Sequence, residues 1–316
     1  MYINPTAEIR PELTAVVEEA AASDSYFIGL KVFPIFPSER DSGEYYKITK
    51  SASEVQKKNI TERAAKAPYG KVDRTFEKDS FVCRDRGIEE DLDDTVTAKL
   101  NNFFPLEVTT SKLLLRSVML DHEIRVADAV FNTGNFDSVN STVAYTVANK
   151  ATMDFAIDVQ AAIKRVKKRG ELVNSIIMNR DVFDRIRTSE LFAKFLFGPL
   201  GGGQQITEDM LGKAFSIPNV LIADATVDSS KKGQTAAADY IWSPNYIWVG
   251  NVMGGDFSAG GAGRTIVWTG VDGGGFAVTE TYRKEDIRSD CIRVRTHTTE
   301  KVISAPSGTL IATQWA

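Results

Sequence analysis

Histidine, a frequent catalytic base near neutral pH, occurs in this chain only as His122 and His297. His122 lies in the triplet Asp121-His122-Glu123, and an imidazole beside a carboxylate is the pairing that hydrolases use for proton transfer. A catalytic triad also needs a serine or cysteine nucleophile on a sharp turn, and the sequence contains no Gly-x-Ser-x-Gly. We therefore predict no catalytic residue and interpret His122 as a partly exposed helix residue.

The other reactive side chains form no recognisable metal site. Cys83 and Cys291 belong to no Cys-x-x-Cys or Cys/His cluster, which indicates buried thiols of a cytoplasmic protein rather than a zinc site or a disulfide. The acidic residues 87–99 lack the spacing of a calcium-binding loop. We interpret them as the solvated start of a short helix that Asp93 or Asp94 caps, and we predict no bound metal.

Two glycine-dense segments, Met253–Gly275 and Gly198–Gly203, have the composition of phosphate-binding loops. Neither contains Gly-Lys-Ser/Thr, and neither places Gly-x-Gly-x-x-Gly between a strand and a helix. We interpret both as flexible connections between strands and predict no cofactor.

The overall composition excludes several classes of protein. The chain has 316 residues, which suggests about two domains, and 43% of them are hydrophobic, enough for sizeable cores. Lys and Arg total 38 against 42 Asp and Glu, so the formal net charge is -4, which argues against DNA binding by the charge of the whole protein. The sequence shows no signal-peptide pattern and no apolar run of about 18 residues that could span a membrane.

One long helix is predicted at Leu106–Phe131, because this segment contains no glycine or proline and Pro105 precedes it. Two apolar stripes run along it. The first comprises Leu113, Leu120, Ile124, Ala127 and Phe131, and the second comprises Leu115, Met119, Val126 and Val130. We therefore expect a rod buried between two layers, with Asp121 and Arg125 forming an i, i+4 ion pair on its surface.

The segments before this helix contain too little apolar sequence to form a core of their own. Residues 1–25 read as an arm with a helix predicted at Glu12–Ala22, and Tyr26–Phe36 reads as extended. Ser38–Thr75 is polar, and Val72–Val82 alternates like a strand. We predict two extended limbs that flank a polar tip and bind a partner, with a disordered surface insertion as the alternative.

The alternation of helices and short apolar strands between residues 141 and 277 predicts an α/β domain. Thr152–Arg169 is an amphipathic helix that ends in five cations. We favour their interaction with the helix dipole over a nucleic-acid patch. Residues 278–316 read as strands that return to the first domain and complete its sheet. Further helices are predicted at residues 179–187, 189–197 and 206–215, and strands at Asn174–Met178, Asn219–Ala223 and Tyr246–Val249.

Several segments carry a family resemblance. In Leu113–Asn132, Glu123 is followed by Val126-Ala127 and by a closing Phe131-Asn132. Ser175–Thr188 reads SIIMNRDVFDRIRT. Ile206–Ala225 has Ser216 at a position where the family usually has Gly, and Ser289–Val294 reads SDCIRV. In this order, they resemble the spine helix, the axial-domain elements and the returning peripheral strand of the major capsid protein of tailed bacteriophages, which has the Hong Kong 97-type fold.

The resemblance implies an α+β fold of this type in five parts. These are an N-terminal arm (residues 1–25), an extended loop (26–82), a peripheral domain with the spine helix (83–140), an axial domain (141–277) and strands returning to the peripheral domain (278–316). It also implies a structural protein rather than an enzyme. Copies of the chain would assemble into the hexamers and pentamers of an icosahedral head that encloses phage DNA.

The same resemblance implies particular partners. The arm and the loop would lie over neighbouring subunits, and the expected contacts include the loop cations Lys57, Lys58, Arg63, Lys66, Lys71 and Arg74. Because the sequence starts at Met1 with a short arm, we expect a separate scaffolding protein, together with a portal and a decoration protein. The DNA would be enclosed without sequence-specific contacts. The protein would belong to the virion, which assembles in the bacterial cytoplasm without a membrane.

Two other functions stay open at this stage. An encapsulin-type compartment shell would use the same fold to enclose a protein cargo instead of DNA. A nucleotide-binding enzyme would use the glycine-dense segments, although their sequence lacks the expected fingerprints.

Overall fold

The structure is a computed structural model that describes residues 7–48, 63, 65–69, 76–101, 103, 105–199, 206–231, 233–255, 257, 260–270 and 275–315. The helices are α1 (Pro11–Ser23), α2 (Gly29–Val32), α3 (Asp94–Leu100), α4 (Leu106–Val130), α5 (Phe155–Lys168), α6 (Arg180–Arg187), α7 (Glu190–Phe197) and α8 (Glu208–Phe215). The strands are β1 (Glu8–Ile9), β2 (Ile35–Ser38), β3 (Ser42–Ile48), β4 (Phe76–Val82), β5 (Arg84–Asp93), β6 (Asp137–Asn140), β7 (Ser175–Asn179), β8 (Asn219–Ala223), β9 (Thr226–Asp228), β10 (Ala238–Tyr240), β11 (Tyr246–Gly250), β12 (Gly263–Trp268), β13 (Val278–Lys284), β14 (Ser289–Val302) and β15 (Gly308–Ala312).

The first sheet has six strands, in the order β1-β13-β14-β12-β2, with β5 also paired to β14. The fourteen-residue β14 is its centre, because it pairs antiparallel with β13, β5 and β12. At one edge β2 runs parallel to β12. The sheet therefore joins strands from the first hundred residues to strands near the end of the chain.

The second sheet has five strands, in the order β6-β15-β11-β7-β8. Two pairs, β6–β15 and β7–β8, are parallel, and β11 runs antiparallel to both of its neighbours. Two short ribbons stand apart from the two main sheets: β3 pairs with β4, and β9 pairs with β10.

The long helix α4 lies between the two sheets, as its apolar pattern predicted. Its first half belongs to a buried cluster with Ile292 and Val294 of β14 and Val17 of α1. The members from α4 in that cluster are Leu106, Leu114, Leu115, Val118 and Met119. Its second half packs Val126, Ala127 and Val130 into a different cluster, together with Ile177, Trp248 and Leu310 of the second sheet. The helix is therefore buried on two sides, although Leu113, which we placed in a stripe, is 59% exposed.

Helices α5 to α8 cover the opposite face of the second sheet. Side chains alternate along β7, so Ile176 and Met178 face these helices while Ile177 faces α4. All five residues of β7 are buried, as expected for a strand that is covered on both faces. The second sheet is thus the middle layer of three.

Two local predictions were wrong because tertiary contacts override the local pattern. Residues Gly29–Val32 form a helix rather than an extended segment, since Ile28, Val32 and Phe33 are buried beside α4. The acidic residues up to Asp93 form strand β5 instead of the start of a helix. The predicted cap is confirmed, because the Asp93 carboxylate accepts hydrogen bonds from the backbone N–H groups of Thr95 and Val96, at 2.7 and 3.3 Å.

The expectation that the N-terminal arm needs a neighbouring subunit is wrong for the residues that the structure describes. β1 pairs with β13 of the same chain, and the α1 residues Leu13 and Val17 are buried, Val17 beside residues of α4. The sequence of the arm shows an apolar face but not which surface covers it.

The strands predicted to return together to the first domain divide between both sheets. β13 and β14 join the first sheet, but β15 inserts between β6 and β11 of the second. Conversely, β12 lies inside the glycine-dense segment that we interpreted as flexible connections, and it belongs to the first sheet. Alternation identifies a strand but not its partner, so the pattern could not assign these strands to a sheet.

Ser216 follows α8 with φ 55° and ψ 41°, the left-handed conformation that favours glycine. Ser216→Gly should raise the free energy of unfolding by about 0.5 kcal/mol, because a Cβ in this conformation costs about 1 kcal/mol and the extra flexibility of unfolded glycine offsets part of the gain. Chemical denaturation measures the change. Ser216→Ala keeps the Cβ and is the matched control, so equal stability of the two variants would contradict the explanation.

Candidate assembly site

The six loop cations that we predicted as intersubunit contacts can be placed only in part. Arg63 and Lys66 are exposed, and the Arg63 guanidinium lies 4.7 Å from the centre of the Tyr69 ring. The other four, Lys57, Lys58, Lys71 and Arg74, lie outside the described residues. Their role in assembly stays a prediction.

The predicted second limb, Val72–Val82, contains β4, but the first limb was predicted wrongly. The antiparallel partner of β4 is β3, which lies in the segment that we predicted as the polar tip, whereas Tyr26–Phe36 contains α2 and part of β2 and belongs to the body.

β3 and β4 form an antiparallel hairpin. Seven residue pairs join them, from Ser42 opposite Val82 to Ile48 opposite Phe76. Within the described part of the chain, neither limb of the hairpin pairs with any other strand. Tyr46 is 62% exposed, so an aromatic side chain of the hairpin lies uncovered by its own chain.

The hairpin is fixed to the body at one aromatic root. Tyr45 and Phe81 are buried there in a cluster with Ile266 of β12. The Phe257 ring stacks on Tyr45 with the two centres 4.4 Å apart, and the Tyr45 hydroxyl donates a hydrogen bond to Asp79 at 3.1 Å. Burial raises the pKa of Tyr45, and the nearby Asp79 carboxylate raises it further. Beyond this root the limbs leave the core.

The middle of α4 carries four polar residues that reach different parts of the fold, and we call them the polar girdle. They are Asp121, His122, Glu123 and Arg125. The predicted Asp121–Arg125 ion pair is present. Arg125 also donates two hydrogen bonds, of 2.7 and 3.0 Å, to the carboxylate of Glu300 in β14. Burial opposes ionisation of Glu300, but the hydrogen bonds from Arg125 bring its pKa below the ordinary value.

His122 is only 2% exposed, which corrects our expectation of a partly exposed residue. Its Nε2 atom lies 3.0 Å from the Thr265 hydroxyl of β12, and that hydroxyl donates to the backbone carbonyl of Phe33. Burial lowers the pKa of His122 to about 4, so the imidazole is neutral at pH 7. His122 thus links α4 to the first sheet.

Glu123 is fully buried and accepts three hydrogen bonds. The donors are the backbone N–H groups of Ile28 and Gly29, at 3.2 and 2.6 Å, and the indole N–H of Trp242, at 2.6 Å. Burial raises the pKa of the carboxyl, although these three donors act in the opposite direction. One side chain therefore ties α2 and the segment before β11 to the long helix.

The Cys83 thiol is not an activated nucleophile. The buried Cys83 thiol donates to the carbonyl of Ile266, and burial raises its pKa to about 11, so it stays protonated at neutral pH. The described residues contain no cluster of three His, Cys, Asp or Glu side chains that could hold a metal ion. None of the described helices is long and apolar enough to cross a membrane.

Solved structures that are similar to this chain come from phages and a virus-like particle. A phage-related protein from Bordetella bronchiseptica RB50 is 18% identical, with a TM-score of 0.71 over 97% of each chain. The capsid of the cyanophage P-SCSP1u is 9% identical, with a TM-score of 0.58 over 90% of this chain and 86% of that one. A virus-like particle from Pyrococcus furiosus is 9% identical, with a TM-score of 0.57 over 95% of this chain and 97% of that one.

These similarities show that the chain has the mixed α/β fold of phage capsid proteins, which confirms the predicted resemblance at the level of the fold. No protein-family model matches the sequence, and no curated protein matches it.

Sequence reasoning missed the importance of Glu123 and Gly29. The Glu in the "VA…FN" pattern was visible as part of the resemblance, but nothing local indicated that it is buried. A Cβ added to Gly29 would lie 2.7 Å from Glu123 Oε2 and 3.1 Å from His122 Nδ1. Glycine is therefore required where α2 meets the polar girdle.

Gly29→Ala should lower the free energy of unfolding by about 1–3 kcal/mol, because the added methyl group forces apart a closely packed junction. Urea denaturation followed by circular dichroism measures the loss. Gly254→Ala is the matched control, since its added Cβ would meet only the Pro34 Cβ, at 3.9 Å. A similar loss in both variants would show that the girdle is not the cause.

His122 should make the fold less stable in mild acid. Its pKa is about 4 when folded against about 6.5 when unfolded, so between these values the unfolded chain binds the proton more tightly. From pH 7 to pH 5 the free energy of unfolding should fall by about 2 kcal/mol from this residue alone. In His122→Gln the fall measured by urea denaturation should be smaller by that amount. If the free energy of unfolding fell as much in His122→Gln as in the parent between pH 7 and pH 5, the assignment would be refuted.

Proposed function

We propose that this chain is the major capsid protein of a tailed phage or prophage, and that its copies assemble into an icosahedral shell around DNA. The fold is that of phage capsid proteins over nearly the whole chain. The observation that carries the proposal is the β3–β4 hairpin, whose limbs pair with each other and leave the body beyond one aromatic root. Such a hairpin suits a surface provided by a neighbouring copy.

The assembly proposal assigns a role to each part of the chain. Within residues 26–82 we assign the extended loop to the β3–β4 hairpin and its tip, since α2 and β2 belong to the body. The long helix with the first sheet, which includes β12, would form the peripheral domain, and the second sheet with α5–α8 would form the axial domain. Axial domains would meet head to tail around the centres of hexamers and pentamers, because repeated heterologous contacts close into rings. The arm (1–25) and the strands of residues 278–316 would complete the subunit.

Exposed apolar side chains outside the hairpin support contacts between copies. Phe103 is 81% exposed and Leu172 is 75% exposed, and large apolar side chains in such positions gain free energy when a partner covers them. We propose a scaffolding protein, a portal and a decoration protein as further partners, the virion as the location, and the host cytoplasm as the place of assembly.

The two alternatives have less support. An encapsulin-type shell would share the fold, but two of the three similar structures described above are a phage-related protein and a phage capsid. Packaged nucleic acid in purified particles would separate the two shells. For a nucleotide-binding enzyme, tight binding of ATP or NAD in equilibrium dialysis would contradict a purely structural role.

The hairpin provides a direct test of assembly. Ile48 and Phe76 lie opposite each other, so an Asn-Gly turn can replace residues 49–75 without disturbing the strand register. The shortened chain should keep the melting temperature of the parent within about 3 °C, because the aromatic root is retained, and should no longer form shells in negative-stain images.

A control variant carries a Gly/Ser linker of equal length in place of residues 49–75. It should also fail to form shells if the native tip makes the contacts. Shells formed by the shortened chain would contradict the proposed role of the hairpin, whereas a loss of folding would contradict the view that the tip lies outside the core.

A further inference from the structure

The C-terminal end of α5 carries a row of cations that we call the basic ridge. Its members are Lys164, Arg165, Lys167, Lys168 and Arg169. All are exposed except Arg169, which is partly buried. The ridge lies in the layer of helices on the side of the second sheet away from the long helix.

Two acidic residues adjoin the ridge, and they do not neutralise it. Asp137, the first residue of β6, accepts hydrogen bonds from both Arg165 and Arg169. Glu171 is only 4% exposed and follows the ridge in the chain. Five cations against two carboxylates leave a local charge of +3 on a protein whose formal net charge is -4.

The helix dipole explains only part of this cluster. Its attraction for cations is confined to about the last turn of a helix, and each cation there contributes about 0.3–1 kcal/mol. The last turn of α5 contains Arg165, Lys167 and Lys168, so Lys164 lies before it. The Arg165 guanidinium also donates to the backbone carbonyl of Ser138 at 3.3 Å, so the arginines are fixed beside the edge strand β6, whereas Lys164, Lys167 and Lys168 are exposed.

The spacing of the cations indicates the kind of partner. Lys164, Lys167 and Lys168 lie at i, i+3 and i+4 on one face of α5 and cover about 6 Å along the helix axis, so this face carries roughly one lysine per 2–3 Å. Duplex DNA carries one phosphate per about 1.7 Å of its axis. An extended acidic peptide can offer at most one carboxylate per about 3.3 Å. A duplex can therefore offer a phosphate to each of the three lysines, whereas an extended acidic peptide cannot offer each of them a carboxylate.

We propose that the basic ridge binds the phosphate backbone of the enclosed DNA, and that the α5–α8 layer faces the interior of the shell. This inference rests on the proposed function, because it names the surface that faces the DNA. The contact would be independent of sequence, since the ridge offers charges and no arrangement of side chains for reading base edges.

The test is a titration of a fluorescent 30-base-pair duplex with the full-length protein, at concentrations where sedimentation shows single subunits. The duplex should bind with a slope of log K against log salt of about -3 to -4 between 50 and 200 mM, and a second duplex of scrambled sequence should bind equally well. The variant Lys164→Glu/Lys167→Glu/Lys168→Glu should bind at least about tenfold more weakly at 50 mM salt, with a slope smaller by about 2.7.

The charge-matched control is Lys99→Glu/Lys112→Glu/Lys231→Glu, which changes three exposed lysines elsewhere. It should bind the duplex within about threefold of the parent. Equal losses in the two triple variants, or an unchanged salt slope in the ridge variant, would overturn the proposal. Binding of polyglutamate as tight as that of DNA would also overturn it, because the partner would then be an acidic protein. The titration uses single subunits, so a failure to form shells in negative-stain images would count separately against the proposed function.

Discussion

The carboxylate of Glu123 is the constraint on which the arrangement of the subunit depends. It lies in the protein interior, where an unpaired carboxylate would cost several kcal/mol, and its three donors come from two distant segments. The carboxylate is satisfied only when the backbone at Gly29 and the indole of Trp242 are both in place. Through Arg125 and His122 the same turn of the helix also holds strands of the first sheet. The long helix, both sheets and the base of the hairpin therefore behave as one body.

The sequence predicted the features that depend on neighbouring residues in the chain. The long helix and the strands Asn219–Ala223 and Tyr246–Val249 follow from periodicity, and the structure has them, with the second strand ending one residue later at Gly250. The helix cap was predicted at Asp93 or Asp94, and the structure has it at Asp93. Helix α2 could not be predicted, because four residues form a helix there only when α4 covers their apolar side chains. His122 was misjudged for a related reason: its partner Thr265 is 143 residues away.

The sequence indicated what kind of segment forms the candidate assembly site, but it could not predict the contacts that this segment makes. The strand-like pattern of Val72–Val82 predicted β4, but its partner β3 lies in the segment that polar composition assigned to the tip, and the predicted first limb belongs to the body. The aromatic root could not be predicted, because it combines Tyr45 and Phe81 with Phe257 from a glycine-dense segment far along the chain. For the arm we predicted a contact with a neighbouring subunit, but its helix packs on its own subunit. An apolar face thus predicts that another surface buries it, whereas only the fold shows whether that surface belongs to the same chain.

The position of β15 has a consequence for biosynthesis. This strand lies between β6 and β11, yet among the strands that the structure describes it comes last in the sequence, and β6 pairs with none of the others. A nascent polypeptide leaving the ribosome therefore cannot close the five-stranded sheet until its last strand emerges. Translation itself thus delays completion of the second sheet, so chains that are still on a polysome lack the finished middle layer between the long helix and α5–α8.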